Sequence, residues 1–220
     1  MVISNQIDAS DIKNGPMVVM IMSDLLMGMG GAERNLYILS RGLRDRGHTV
    51  IVCCFRGGYV SESMEREGFI VVDLKVKRFY APHGIKAFLK LLKIVMKQKV
   101  SAIISYHKAS DYMGLLVSLF TRTPIISSRR DMGFELKQRH VWIYRIINRF
   151  YDRITAVSEA VKAAILTTQR ARSDKVTVIQ NGVDLTSDAS EDSGTGREGS
   201  LESNGEYVKI GRIFAMQPIF

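Results

Sequence analysis

Residues 17–54 read MVVMIMSDLLMGMGGAERNLYILSRGLRDRGHTVIVCC, and this stretch decides the fold. Its opening, Met17–Ser23, is a short apolar run with β-branched members, which is typical of a buried strand. A loop with three glycines follows, and then leucines recur at helical spacing until Gly47 ends the helix. Residues 49–54 form a second apolar run. The stretch therefore predicts a strand, a glycine loop, a helix and a second strand.

The same alternation continues toward the end of the chain. The predicted strands are Met17–Ser23, Thr49–Cys54, Phe69–Leu74, Val100–Ser105, Pro124–Ser128, Ile154–Val157 and Val176–Gln180. The predicted helices are the leucine helix that begins near Ala32, Ser61–Glu67, Gly84–Lys99, Asp111–Phe120, Leu136–Phe150 and Ser158–Thr168. Strands that alternate with helices predict an α/β fold with a doubly wound, Rossmann-like parallel sheet. Ligands of such sheets bind beyond the carboxyl ends of the strands.

Charge is distributed unevenly along the 220 residues, which carry a net charge of +9. Residues 186–206 contain six acids and one base, so that segment carries −5 and the remainder +14. A body this basic favours anionic partners such as phosphates, nucleic acid or an acidic membrane. The first 15 residues lack the pattern of a secretory leader, and no run of 18 apolar residues predicts a membrane span, so we expect a cytoplasmic protein. Adjacent Cys53 and Cys54 point to opposite faces of a strand, which favours neither a disulfide nor a metal pair.

Composition divides the chain into four parts. Residues 1–15 are predicted to be a flexible N-terminus, and residues 16–185 form the α/β domain. Residues 186–206 are rich in Ser, Gly, Glu and Asp, which predicts a disordered linker. Residues 207–220 begin with YVKIGRIF, which is typical of the first strand of another domain.

The glycine loop between the first strand and helix is a candidate anion site, because a helix N-terminus presents free N–H groups and a partial positive charge. The dinucleotide fingerprint would require a third glycine at position 33, where Glu33 stands. Phe55 and Arg56 occupy the place of the acidic residue that would hold a ribose. We therefore disfavour a nicotinamide or flavin enzyme, and a tight turn without a ligand remains the alternative.

Four motifs in order resemble family 4 glycosyltransferases, the retaining enzymes with the GT-B fold. GGAERNLYILSRGLRDRGHTV (30–50) is similar to the family's loop ending in Gly-Gly-Ala-Glu with its helix and second strand. DRITAVSEAVK (152–162) resembles its strand, Val-Ser turn and helix. VIQNGVDL (178–185) resembles the Asn-Gly-Val-Asp that closes the N-terminal domain, and YVKIGRI (207–213) the first strand of the C-terminal domain.

The resemblance implies the N-terminal, acceptor-side half of a two-domain enzyme that transfers a hexose from a nucleotide sugar to a glycan or lipid-linked acceptor in polysaccharide biosynthesis, without a metal or other cofactor. It implies substrate contacts at the cleft floor and around the later motifs, at Gly30, Gly31, Glu33, Arg34, Ser158, Glu159 and Asn181. It implies donor-phosphate contacts at Gly31 and Arg212. For Glu33 the alternative is a first-turn carboxylate that the helix dipole favours. No residue is singled out as catalytic.

The chain departs from the family pattern at two places. Where many members carry a histidine, the sequence has Arg129, Arg130 and Asp131. Arg130 and Asp131 are candidate substrate contacts, since a guanidinium fork can hold a phosphate or acidic sugar, although a surface pair between them is the alternative. His107 also follows a strand and is a candidate contact or a structural histidine.

The second departure is the end of the chain, which stops at Phe220 where the family's Lys-Gly is expected. We therefore expect the chain alone to be inactive, and a non-catalytic module that binds an acceptor or partner is the alternative function.

Two further helices carry distinctive faces. Lys86, Lys90, Lys93 and Lys97 share one face of the helix over 84–99, which fits either an anionic membrane on the inner cell face or a solvated surface over the sheet. Trp142, Ile146 and Phe150 form an i, i+4, i+8 stripe that predicts helix packing. The four histidines are scattered, so no metal cluster is predicted, and no motif indicates nucleic-acid binding.

Overall fold

The order of strands in the sheet changes direction beside the first strand. The computed structural model describes residues 15–76, 82–133 and 136–181. Its strands are β1 Val18–Leu26, β2 Thr49–Gly57, β3 Ile70–Asp73, β4 Ala102–Tyr106, β5 Ile125–Arg129, β6 Arg153–Ala156 and β7 Val176–Val178. They lie in the order β3-β2-β1-β4-β5-β6-β7, and each neighbouring pair is parallel. The reversal between β1 and β4 confirms the doubly wound, Rossmann-like sheet.

Helices connect successive strands. They are α1 Gly31–Asp45, α2 Tyr59–Arg66, α3 Pro82–Lys97, α4 Lys108–Thr121, α5 Gln138–Ile147 and α6 Glu159–Thr168. Because parallel crossovers are right-handed, α1 and α2 cover one face of the sheet and α3 to α6 the other. Helices α1, α2, α4 and α6 begin within five residues of the carboxyl end of a strand, so their N-termini and the strand ends share one edge of the sheet.

The centre of the sheet is packed on both faces. Met20, Ile21 and Met22 of β1 are fully buried, which explains why the sequence of this strand is continuously apolar rather than alternating. Helix α4 packs closely on β5 at Gly114. A Cβ added to this glycine would stand only 3.1 Å from Ile125 Cδ1. This close packing fixes α4, and with it the N-terminus of α4, against the sheet.

A buried ion pair joins α4 to β5. Arg129 Nη1 lies 2.9 Å from Asp111 Oδ2, and both side chains are largely excluded from solvent. The hydroxyls of Ser105, Ser127 and Tyr144 donate to the same carboxylate over 2.6, 2.7 and 2.9 Å. Burial raises the pKa of Asp111, and the guanidinium and the hydroxyl donors oppose that rise. One carboxylate thus ties together β4, β5, α4 and α5.

The alternation predicted from the sequence is confirmed element by element, with shifted ends. β1 continues to Leu26 and β2 to Gly57, beyond their predicted ends, because Leu25 pairs with Arg56 and Leu26 with Gly57. Asp24 and Arg56 interrupt the apolar runs, but the extended backbone continues to pair beyond them, so hydropathy alone places such a boundary too early.

The predicted packing role of the stripe on α5 is wrong. Trp142, Ile146 and Phe150 are exposed, whereas Val141 and Tyr144 are the buried residues of this helix. The inward face of α5 is fixed by the Tyr144 hydroxyl, which reaches the buried carboxylate of Asp111. The apolar stripe consequently points away from the sheet.

Several predicted features lie outside the described residues. They are the linker 186–206, the segment 207–220 with Arg212, and nearly all of the predicted N-terminal segment 1–15. The sheet and its helices lie in one compact unit, Pro16–Asn181. The four-part division of the chain stays a prediction.

Candidate functional site

The reversal of strand order creates a crevice beyond β1 and β4, where Ser23 lies opposite Tyr106 in the register. Two helix N-termini flank it, those of α1 and α4. Each is a potential place for an anion, so the groups already bound to each decide which is open to a ligand.

The N-terminus of α4 is occupied by a side chain of the protein. The Asp24 carboxylate accepts hydrogen bonds from the backbone N–H groups of Ala109 (3.0 Å) and Ser110 (2.6 Å). A carboxylate from the end of β1 therefore takes the position that a ligand anion would need.

His107 lies at the same junction in an unusual backbone conformation. It precedes α4 with φ 70° and ψ 171°, a region that residues other than glycine rarely occupy. Its Nδ1 lies 3.3 Å from Ser23 Oγ. The structure thus places predicted residue His107 in the crevice, and contact with a ligand stays a prediction.

The N-terminus of α1 has no side-chain cap. The backbone at Gly31 is open, since a Cβ there would meet no atom within 4 Å. At Gly30 a Cβ would stand 2.6 Å from Glu33 Oε2, so the Glu33 carboxylate folds back toward the first turn. That placement matches a first-turn carboxylate favoured by the helix dipole, and a direct role of Glu33 in substrate binding stays a prediction.

Arg130 is held at this edge by a polar cluster from four elements. Its Nη1 donates to Asn35 Oδ1 (2.8 Å) and to Ser128 Oγ (3.4 Å), and its Nη2 donates to Asn181 Oδ1. Asn35 Oδ1 also accepts from the Tyr106 hydroxyl (2.9 Å), and Asn35 Nδ2 donates to Asn181 (3.4 Å). The cluster joins α1 to the residues at the ends of β4, β5 and β7, and brings two predicted residues, Arg130 and Asn181, into contact.

The electrostatics of Arg130 suit an anionic ligand. Burial lowers the pKa of its guanidinium, while Tyr106 and Glu33 act to raise it. The group keeps its charge at neutral pH, because an arginine side chain does not lose its proton in proteins. A partly desolvated cation lacks some of the water that would screen it, so it interacts more strongly with an anion than an exposed cation does.

Other predicted residues have local roles. Ser158 caps α6 by accepting from Val161 N (3.2 Å), and Glu159 is exposed with Lys162 Nζ at 3.9 Å. Asp131 accepts from Gly133 N (2.6 Å) in a turn. Arg34 is exposed in the first turn of α1. The structure does not bring Ser158, Glu159 or Asp131 into the cluster around Arg130, and their substrate contacts stay predictions.

Sequence reasoning missed Asn35, Tyr106 and Asp24. A usable signal existed for Asn35, which lies one helical turn after Gly31 and therefore on the same face of α1. Tyr106 gave no such signal, because a tyrosine at the end of an apolar strand is normally predicted to be a residue of the hydrophobic core.

An apolar rim, made of four exposed side chains, follows β1 and β5 at the carboxyl edge of the sheet. Leu25, Met27 and Met29 follow the buried part of β1, Met132 follows β5, and all four are exposed. Methionine adapts its shape to irregular partners, so this rim is suited to an apolar part of a ligand.

Two further properties concern the described ranges only. No three His, Cys, Asp or Glu side chains there are grouped as metal ligands would be. No helix there is both long and apolar enough to span a bilayer. Metal-free transfer stays a prediction of the resemblance.

Comparison with known proteins gives a family and a set of similar folds. Residues 29–187 match the model of Glycosyltransferase Family 4. No curated protein matches the sequence. Anabaena HepE (Alr3699), solved in complex with UDP and glucose, is 21% identical with a TM-score of 0.64, over 76% of this chain and 45% of HepE.

Two more solved structures share the fold. A glycosyltransferase from Rickettsia africae is 21% identical with a TM-score of 0.62, over 76% of this chain and 44% of its own. MurG from Acinetobacter baumannii is 15% identical with a TM-score of 0.57, over 79% of this chain and 47% of MurG. The chain thus spans less than half the length of these solved structures.

Proposed function

Since the chain belongs to Glycosyltransferase Family 4, we propose that it forms the acceptor-side wall of a cleft in which a hexose passes from a nucleotide sugar to an acceptor. The acceptor is a glycan or a lipid-linked acceptor in the biosynthesis of a cell-surface polysaccharide. The observation that carries this proposal is the Arg130 cluster, which lies at the carboxyl edge of the sheet together with the uncapped N-terminus of α1.

Both features stabilise negative charge. When a nucleotide sugar breaks at the sugar–phosphate bond, charge develops on the leaving diphosphate. Preorganised N–H donors and a fixed cation lower the energy of that state most where water is excluded. In the proposed arrangement the open backbone at Gly31 lets a phosphate or sugar hydroxyl approach the first turn of α1, and Arg130 supplies the cation. Neither role needs a metal from this wall.

Asn35 fixes the geometry of that cation. It accepts from Arg130 and Tyr106 through the same oxygen and donates to Asn181. An arginine with this many partners loses little rotamer freedom when a ligand arrives, which favours a preorganised site.

The acceptor side of the proposal rests on the apolar rim. A lipid-linked acceptor presents an apolar chain next to a pyrophosphate or sugar, and Met27, Met29 and Met132 are exposed after the strands β1 and β5, which also lead to the polar cluster. HepE in its complex with UDP and glucose supports a uridine nucleotide as the donor to test first.

The described residues offer one wall of a cleft. We propose that this wall binds ligands alone, but that turnover requires groups facing it from a second wall. Correct positioning of reactants contributes on the order of 7–11 kcal/mol in well-oriented reactions. A radiolabelled donor assay with lipid-linked acceptors tests this, because turnover by the 220-residue chain comparable to that of a full-length family member would contradict it.

Titration calorimetry with a panel of UDP-sugars tests the binding role. Arg130→Gln should weaken the affinity for the best UDP-sugar by about 10- to 100-fold, since a hydrogen bond to a charged group contributes about 1.5–3 kcal/mol. Arg66→Gln is the matched control, because Arg66 is an exposed arginine on α2.

Equal affinity of the wild type and Arg130→Gln would remove Arg130 from the donor site. If no UDP-sugar binds but a glycan or lipid-linked acceptor does, the chain acts as an acceptor-binding module instead.

A further inference from the structure

The outward face of α5 carries an apolar stripe that the fold leaves uncovered. Trp142 is 56% exposed, Ile146 51% and Phe150, just beyond the helix, 48%. Their spacing of four residues aligns them along one side. Scattered exposed apolar residues are ordinary, but an aligned set with a tryptophan indicates a surface that meets an apolar partner.

Two arginines belong to the same surface. The Arg145 guanidinium lies 5.0 Å from the centroid of the Trp142 ring system, and that of Arg149 lies 5.5 Å from the Phe150 ring centroid. Backbone carbonyls hold both in place, because Arg145 Nε donates to Thr168 O (2.9 Å) and Arg149 Nε donates to Ile146 O (2.8 Å). Their positive charges therefore stay beside the apolar stripe.

Residues 136–150 add positive charge and no acid. Between Leu136 and Phe150 there are four Lys or Arg residues and no Asp or Glu. Among the acids that follow, Asp152 accepts from Ile125 N (2.8 Å), Glu159 lies 3.9 Å from Lys162, and Asp174 pairs with Arg172 (2.8 Å). A partner for this face must offer an apolar region that is covered by negatively charged groups.

We propose that this α5 face, defined by Trp142, Arg145, Ile146, Arg149 and Phe150, binds the surface of a bilayer that contains anionic lipids. Tryptophan is favoured at the boundary between headgroups and acyl chains, and arginine pairs with lipid phosphates there. A short amphipathic helix with cations beside its apolar face suits this boundary. The proposal concerns the outer side of the helical layer, so it does not depend on the transfer reaction.

A competing surface exists on α3, where Ile85, Leu89 and Met96 are exposed beside lysines. The α5 face differs in having a tryptophan and arginines held over aromatic rings. The two surfaces make different predictions for single substitutions, so an experiment separates them.

Trp142 is the only tryptophan of the chain, so its fluorescence reports on this face alone. We expect vesicles of equal parts phosphatidylglycerol and phosphatidylcholine to shift Trp142 emission to shorter wavelength, and brominated lipids to quench it. Phosphatidylcholine vesicles alone should leave the spectrum nearly unchanged. The double variant R145Q/R149Q should weaken partitioning into the anionic vesicles by roughly thirtyfold.

Ile146→Ser should reduce partitioning, and Ile70→Ser is its matched control, since these isoleucines are 51% and 52% exposed. Thermal unfolding verifies that each variant folds. The proposal is overturned if anionic vesicles leave Trp142 emission unchanged. It is also overturned by equal binding to phosphatidylcholine, or if Ile85→Ser abolishes binding while Ile146→Ser does not.

Discussion

At the scale of single residues, Arg129 and Arg130 show how two adjacent arginines acquire different roles from the directions in which their side chains point. Successive side chains at a strand end point to opposite sides. Arg129 enters the helical layer and pairs with Asp111, whereas Arg130 reaches Asn35 and Asn181 at the carboxyl edge. The sequence predicted a ligand role for Arg130, but the ion pair of Arg129 depends on a partner 18 positions earlier that no local pattern reveals.

Gly31 separates a ligand effect from a folding effect. Gly31→Val should leave the unfolding temperature nearly unchanged, because a Cβ at this position would meet no atom within 4 Å. The added side chain should nevertheless weaken UDP-sugar binding by about tenfold or more, since it blocks approach to the N–H groups of α1. Calorimetry and thermal unfolding measure the two effects, and unchanged affinity in a folded variant would mean that the loop is only a turn.

The two buried thiols should be inert in the native protein. Burial raises the pKa of Cys54 to about 12 and raises that of Cys53 as well. At pH 8 roughly one Cys54 thiol in ten thousand is then ionised, and the thiolate is the reactive form. Reaction with a chromogenic disulfide at pH 8 should follow unfolding by guanidinium. Rapid modification of both thiols without denaturant would contradict their placement.

At the scale of elements, the link between α4 and β5 is the point where one substitution should have the largest effect. Asp111→Asn leaves the Arg129 charge buried without its counter-ion, which should lower the free energy of unfolding by about 3–5 kcal/mol. The double variant Asp111→Asn/Arg129→Met should recover part of that loss. Guanidinium unfolding measures both, and a loss below about 1 kcal/mol for the single variant would show that the pair is not essential.

The sequence predicted which elements form and in what order, because period-2 and period-3.6 patterns report directly on burial. It did not predict which side of α5 is buried. Trp142, Ile146 and Phe150 form the more apolar stripe, yet the helix is oriented by Tyr144, whose hydroxyl binds a carboxylate from another element. Hydropathy cannot register a polar contact between elements that are far apart in sequence. Asn35 was missed for the same reason, although its spacing from Gly31 was visible.

At the scale of the whole molecule, the glycine loop, the Arg130 cluster and the apolar rim all lie at the carboxyl edge of one sheet. The α5 face lies instead on the helical layer. The two surfaces differ in chemistry, because one is polar and is the proposed nucleotide-sugar site, whereas the other is apolar and cationic. Substitutions on α5 should therefore change vesicle binding without changing the affinity for a UDP-sugar.

The central claim is that this edge binds a nucleotide sugar, and amide NMR of the ¹⁵N-labelled 220-residue chain tests it most directly. Titration with UDP-glucose should shift the amides of residues 28–35, together with those of His107 and Arg130, and should leave α5 unchanged. Absence of shifts at millimolar UDP-glucose and other UDP-sugars, or shifts confined to regions away from the carboxyl edge, would contradict the claim.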